Sequence, residues 1–159
     1  MRGKIPITKQ GFERLQDVLR QLKTVERRKA SESVGEAASH GDLTENAEYD
    51  AAKEHQAQLE HRIITLEDRL ARAEVIDVSA LSGERVVFGA TVVLEDLNNG
   101  EELQYTIVGE DEADISKNRI SITSPIARGL IGKRIDDETA IQVPSGTRRF
   151  AILDVRFGE

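Results

Sequence analysis

Two long stretches with helical spacing are separated by the run Ser39-His40-Gly41-Asp42-Leu43-Thr44-Glu45-Asn46-Ala47-Glu48-Tyr49. Gly41 is the only glycine between Gly35 and Gly83, and glycine readily adopts backbone angles that end a helix. A short connection between two long helices forces them antiparallel. The chain is therefore expected to fold back on itself as a helical hairpin, with this run at its tip.

The stripes on either side support that reading. Thr8 is a good N-cap, and Phe12, Leu15, Leu19 and Leu22 then recur at steps of three, four and three. Val25, Ala30, Val34 and Ala37 continue the stripe more weakly, so the first helix is expected over 9–38, about 45 Å long. Ala47, Ala51, Leu59, Ile63, Leu66, Leu70 and Ala73 supply the partner stripe, which from Leu59 onward steps four, three, four, three as a coiled-coil seam does. Alanines near the tip and leucines near the base imply a narrow apex and a thicker root.

Near Val78 to Gly83 the pattern changes to period two, which places a domain boundary between 77 and 78. Strands are expected at Arg85–Phe88, Thr91–Leu94, Leu103–Val108, Arg119–Ile122, Thr139–Val143 and Arg149–Val155. Asn98-Asn99-Gly100 is a hairpin turn signal between the second and third of these. Ser124 as N-cap, Pro125 at the first helical position and Gly132 as terminator predict one short helix. The expected class is α+β: an N-terminal arm, residues 1–77, with its tip near 40–46, and a mainly antiparallel β domain with one short helix, residues 78–159.

Composition closes off several functions. There is no cysteine, so disulfides, thiol catalysis and cysteine-ligated zinc are excluded. His40, His55 and His61 do not have a metal-ligand spacing, and there is no glycine-rich phosphate loop. No apolar run approaches a membrane span and the start lacks a signal-peptide core, so a cytoplasmic protein without membrane association is expected. The net charge of −7 argues against tight, free-standing DNA binding through a basic surface. It is unevenly spread: residues 1–29 hold nine Lys/Arg against three Asp/Glu, and residues 30–77 hold four against twelve.

The remaining chemistry is at the tip, where Asp42 and Glu45 lie three residues apart. That spacing also suits a capping box, and Thr44 is an equal candidate for the cap of the second helix, so the spacing does not decide. Two exposed carboxylates would hold Mg²⁺ poorly alone, because Mg²⁺ takes most of its shell from water, phosphates or a partner. They make more sense delivered into another protein's metal site.

The run His40 to Tyr49, followed by Ala51-Ala52-Lys53-Glu54, resembles the tip of the Gre family of bacterial transcription elongation factors, most of all its GreA branch. Leu22 to Arg27, Val86 to Val92, Ile107 to Asp114 and Ile120 to Arg128 also resemble the family, in the same order and over nearly the whole chain. The resemblance implies an N-terminal antiparallel coiled coil and a C-terminal domain similar to the FKBP fold. It implies a monomeric cofactor rather than an enzyme, which enters the secondary channel of backtracked bacterial RNA polymerase. There Asp42 and Glu45 would share the polymerase's Mg²⁺ and orient the attacking water, so that the polymerase cleaves its own RNA near the nascent 3′ end; DNA is met only within the elongation complex. Thr123, Ser124 and Pro125 carry over as the segment that docks on a helical hairpin at the channel rim. The basic run Arg27-Arg28-Lys29 is a further candidate to face RNA or polymerase. Gly129 departs from the alanine the family often has, a change that weakens a helix by up to ~1 kcal/mol, and Ser31 to Gly35 favours helix less than expected. Rival readings are a Gre-like channel regulator that inhibits rather than cleaves, and an FKBP-like prolyl isomerase, which needs an aromatic-lined pocket.

Overall fold

The computed structural model describes residues 3–39, 46–78 and 81–158. It contains two compact units, one built on Phe12–Ala73 and the other on Lys4–Gly11 with the chain from Glu74 onward. A boundary at 77/78 assigns residues 4–11 to the arm, whereas here they pack with the second unit. One buried carboxylate helps to hold them there. Glu112 accepts hydrogen bonds from the Thr8 amide (3.2 Å), the Thr8 hydroxyl and the Gly109 amide (2.9 Å). The lack of a side chain at Gly11 makes room, since a Cβ there would lie 2.1 Å from Glu112 Oε1.

The first helical run occupies the expected 9–38, but in three pieces: α1 (Lys9–Gln21), a π turn (Leu22–Glu26) and α2 (Arg27–Ala38). Thr8 caps it, its hydroxyl accepting from the Gly11 amide at 3.0 Å. The π turn has a reason in the sequence. Leu15, Leu19, Leu22, Glu26, Ala30, Val34 and Ala37 are all buried or half-buried, at steps of four, three, four, four, four and three. A heptad alternates four and three, so the run holds one residue too many. The wider π turn absorbs it, and Ala30 and Ala37 stay buried beyond it at 2% and 5% exposure.

The partner helix α3 (Ala47–Ala71) has no such excess. Tyr49, Ala52, Gln56, Leu59, Ile63, Leu66 and Leu70 are buried or half-buried at alternating steps of three and four. Ala47 and Ala51, expected on this stripe, are exposed; Tyr49 and Ala52 take their place because the seam counts back in heptads from Leu59. Leu22, Ala30, Leu59 and Ile63 form the arm's core. Each large apolar side chain contributes roughly 1.5–3 kcal/mol when fully buried. Lys23–Glu67 at 3.3 Å is half-exposed and bridges the helices, a class of pair that adds about 1 kcal/mol at most. The seam, not the ion pairs, holds the arm.

Two short strands unread in the sequence, β1 (Ile5–Thr8) and β2 (Ala73–Ile76), pair with each other. The main sheet is β3 (Thr91–Asp96), β4 (Glu102–Val108), β5 (Arg119–Ser121), β6 (Glu138–Val143) and β7 (Gly146–Arg156), in the order β5-β4-β3-β7-β6. It is antiparallel except where β4 meets β5, which run parallel. The expected strand Arg85–Phe88 is not one: Arg85 makes a single bridge to Arg134, and Gly89, at φ +88°, turns the chain away. The Asn98-Asn99-Gly100 turn forms as expected, with the Gly100 amide on the Asp96 carbonyl at 2.7 Å. Opposite β3 the register of β7 slips between Val93 and Leu94, leaving Leu153 as the unpaired extra residue, 42% exposed. That bulge lets Ile152 and Val155, three apart, both face the core.

The short helix α4 (Pro125–Leu130) closes the core with Ala127 and Leu130, both fully buried. Gly129 is spatially required: a Cβ there would lie 2.5 Å from Ile141 Cγ1 on β6. The loss of helix propensity accompanies a closer helix-to-strand approach. Among the described residues no helix is long and apolar enough to cross a membrane.

Candidate functional site

The acidic pair Asp42 and Glu45, with His40 and Thr44, lies outside the described residues. The structure does define both sides of that run. α2 ends at Ala38 with Ser39 as its C-cap, and Asn46 is the N-cap of α3, in extended conformation (φ −86°, ψ 94°). The Asn46 side-chain oxygen accepts from the Tyr49 amide at 3.0 Å. The cap position is therefore filled by Asn46, and neither Thr44 nor an Asp42–Glu45 box is its occupant. A signal for this existed: asparagine ranks with aspartate and serine as a cap, and acidic Glu48 and Asp50 follow in the first turn, where the helix dipole favours them.

Asn46 also bridges the hairpin, its amide nitrogen donating to the Ala37 carbonyl at 2.6 Å. Sequence reasoning did not single this residue out. A cap is read from local spacing, whereas a bond between positions nine apart depends on how the two helices meet.

Farther down the arm, Arg27 grips Glu60 with two hydrogen bonds, Nε to Oε2 at 3.0 Å and Nη2 to Oε1 at 2.9 Å. The hydrogen bond to Glu60 raises the Arg27 pKa above the ordinary guanidinium value. Arg28 lies 3.9 Å from Glu32 and Lys29 4.0 Å from Glu26. The basic run is thus matched by acids of the arm itself, and Arg27 serves to hold α2 to α3. A cavity of about 440 Å³ opens beside the π turn, lined by Val18, Leu22 and Leu59 with His55 and Arg62 among its polar groups. Among the described residues no group of three or more His, Cys, Asp or Glu could hold a metal ion.

Thr123, Ser124 and Pro125 come together at the head of α4. Thr123 and Pro125 are exposed. Ser124 is occupied: its hydroxyl donates to the Ser121 carbonyl at 2.7 Å and accepts from the Ala127 amide at 3.3 Å. The Thr123 amide donates to the Ser121 hydroxyl at 3.1 Å, which fixes the turn. Ser124 thus shapes the segment, and Thr123 and Pro125 are what it presents.

The aromatic residues of this unit are used in packing. Phe88 and Phe150 are buried, and Tyr105 and Phe157 pack partly buried against the core. A cavity of about 370 Å³ on the sheet, lined by Val93, Leu103, Gln104 and Tyr105 among others, has one aromatic wall.

Family models match both parts of the chain. "Transcription elongation factor, N-terminal" covers residues 5–75, and "Transcription elongation factor, GreA/GreB, C-term" covers residues 81–157. The chain is 54% identical to transcription elongation factor GreA of Rickettsia bellii (strain RML369-C), over 100% of this chain and 98% of that protein. It is 50% identical to GreA of Pelobacter propionicus, over 99% of each. Among solved structures it is similar to the GreA factor homolog 1 protein of Thermus thermophilus, with 32% identity, TM-score 0.44, and 96% and 99% of the two chains covered. It is also similar to the GreA/GreB elongation factor of Nitrosomonas europaea, with 25% identity, TM-score 0.42, and 96% and 98% covered.

Proposed function

Because the chain belongs to the GreA/GreB family of transcription elongation factors, we propose that it binds bacterial RNA polymerase in the cytoplasm and rescues arrested elongation complexes. In this reading the arm enters the secondary channel of a backtracked polymerase, and the tip acids stimulate the polymerase's own cleavage of the displaced RNA. The catalytic centre is the polymerase's; this chain is a cofactor without an activity of its own.

Mg²⁺ in the polymerase site supplies Lewis-acid activation of water and of the scissile phosphate. The role of this chain is to bring carboxylates. Asp42 and Glu45, acidic and three apart, would complete an oxygen-rich shell and accept a hydrogen bond from the attacking water. The observation that carries the reading, beside the family match, is the cap: Asn46, not an acid, is the N-cap of α3 and accepts from the Tyr49 amide. The second unit would dock at the channel rim through exposed Thr123 and Pro125, held in place by Ser124. The 25 residues of α3 alone give the arm about 37 Å of length.

The test is transcript cleavage in a stalled, backtracked complex with labelled RNA and Mg²⁺, comparing the parent with Asp42→Ala and Glu45→Ala. Loss of stimulated cleavage by roughly 10²-fold in both, with polymerase binding kept, is the expected result. A parent that binds polymerase without stimulating cleavage points instead to an inhibitory channel regulator. Variants that cleave like the parent remove the acids from the mechanism.

A further inference from the structure

The Asn46 side chain makes two hydrogen bonds in opposite directions. Its oxygen accepts from the Tyr49 amide of its own helix at 3.0 Å, and its nitrogen donates to the Ala37 carbonyl of the facing helix at 2.6 Å. Ala37 is in the last turn of α2, where the Ser39 amide also reaches its carbonyl, and its side chain is buried in the seam. We propose that Asn46 is the positioning residue of the arm's tip, tying the ends of the 40–45 connection together and so setting where Asp42 and Glu45 are delivered. This rests on the reading under Proposed function.

The chemistry explains why an amide stands there. Aspartate and serine cap a helix about as well as asparagine, but an ionised aspartate has no N–H for the Ala37 carbonyl and would turn a carboxylate toward it. Serine caps without new charge, and its hydroxyl, one bond closer to the backbone than the asparagine amide nitrogen, loses the reach to Ala37. Each therefore removes the cross-helix bond while leaving the cap. A connection whose ends are free to part spreads its carboxylates over many placements, and a displacement of about 1 Å from the reacting atoms can cost 10²-fold in rate. The effect belongs in the rate at saturation, not in affinity, because the docking segment lies elsewhere.

The experiment compares the parent with Asn46→Ser and Asn46→Asp in two readouts. The first is the distance distribution between spin labels placed by Ser33→Cys and Lys53→Cys, exposed positions in a chain with no other cysteine. The second is stimulated cleavage at saturating factor, with its Mg²⁺ dependence. The expected result is unchanged helicity and polymerase affinity within twofold, a broadened distribution, a saturating rate at least tenfold lower, and a higher half-saturating Mg²⁺ concentration. An unchanged distribution overturns the clamp, whatever happens to cleavage. A broadened distribution with cleavage within twofold of the parent overturns the positioning role. A parent that stimulates no cleavage sinks the elongation reading, and the positioning role with it, while the distances still report on the clamp.

Discussion

At the scale of single residues, the second unit depends on a few acids with full sets of partners. Glu112 is 5% exposed and takes donors from Thr8 and Gly109, with Arg119 Nη2 3.7 Å away. Removing one partner of a buried charge leaves the others unpaired, so Glu112→Ala should destabilise the second unit by about 3–5 kcal/mol in denaturant titration. Asp96 shows how pH acts. The Asn98 amide, with help from Arg148, holds its carboxyl below the ordinary value, as Ser116 does for Asp114 and Arg156 for Asp154. A carboxyl whose folded pKa lies below its unfolded one stabilises above the unfolded value, near 3.9 for aspartate, and loses that as pH falls through the folded one. Melting temperature should therefore be flat from about pH 7 to 5 and fall below about pH 4. Asp96→Asn should lower the plateau and shallow the acid limb.

Among the elements, the arm makes the sharpest statement. Its first helix carries one residue beyond the heptad count and absorbs it at Leu22–Glu26; its second carries none. Deleting Thr24 removes the excess and should leave a regular helix, with the far-UV circular dichroism and thermal midpoint of the parent to within a few degrees. Deleting His61, between Leu59 and Ile63, rotates one half of α3 out of the seam and should cost several kcal/mol, since it exposes side chains contributing roughly 1.5–3 kcal/mol each. Equal losses from the two deletions would show that the π turn does not relieve a register excess. At α4 the opposing effects are also countable. Gly129→Ala gains up to ~1 kcal/mol of helix propensity but drives a methyl into Ile141, an overpacking that costs about 1–3 kcal/mol. The net change in denaturant stability should be destabilising.

For the whole molecule, the proposed division of labour predicts that the two units fail differently. Pro125→Ala at the exposed head of α4 keeps the Ser124 cap, so it should weaken polymerase binding about tenfold while leaving cleavage at saturating factor near the parent value. The tip variants should do the reverse. Titrating factor into stalled complexes separates the two, and a Pro125 variant that loses rate at saturation would join the units into one function.

Most of this architecture was legible in advance because it is local. Helix periodicity, the Asn98-Asn99-Gly100 turn and the Ser124-Pro125 cap are set by neighbours a few residues apart. What went unread is long-range. β1 and β2 are four residues each and exist only as partners to one another. Residues 4–11 join the second unit through that pairing and through Glu112, over a hundred positions away, which buries its charge on Thr8. The strand expected at Arg85–Phe88 lost to the turn at Gly89, and Ala47 and Ala51 lost their places in the seam to Tyr49 and Ala52. Periodicity and turn signals, written along the chain, suffice for the hairpin and the α+β class, whereas the role of Asp42 and Glu45 comes from the resemblance and falls on residues outside those the structure describes. That Asn46 also reaches Ala37 emerges in the folded chain alone, because a hydrogen bond between helices depends on where each faces the other.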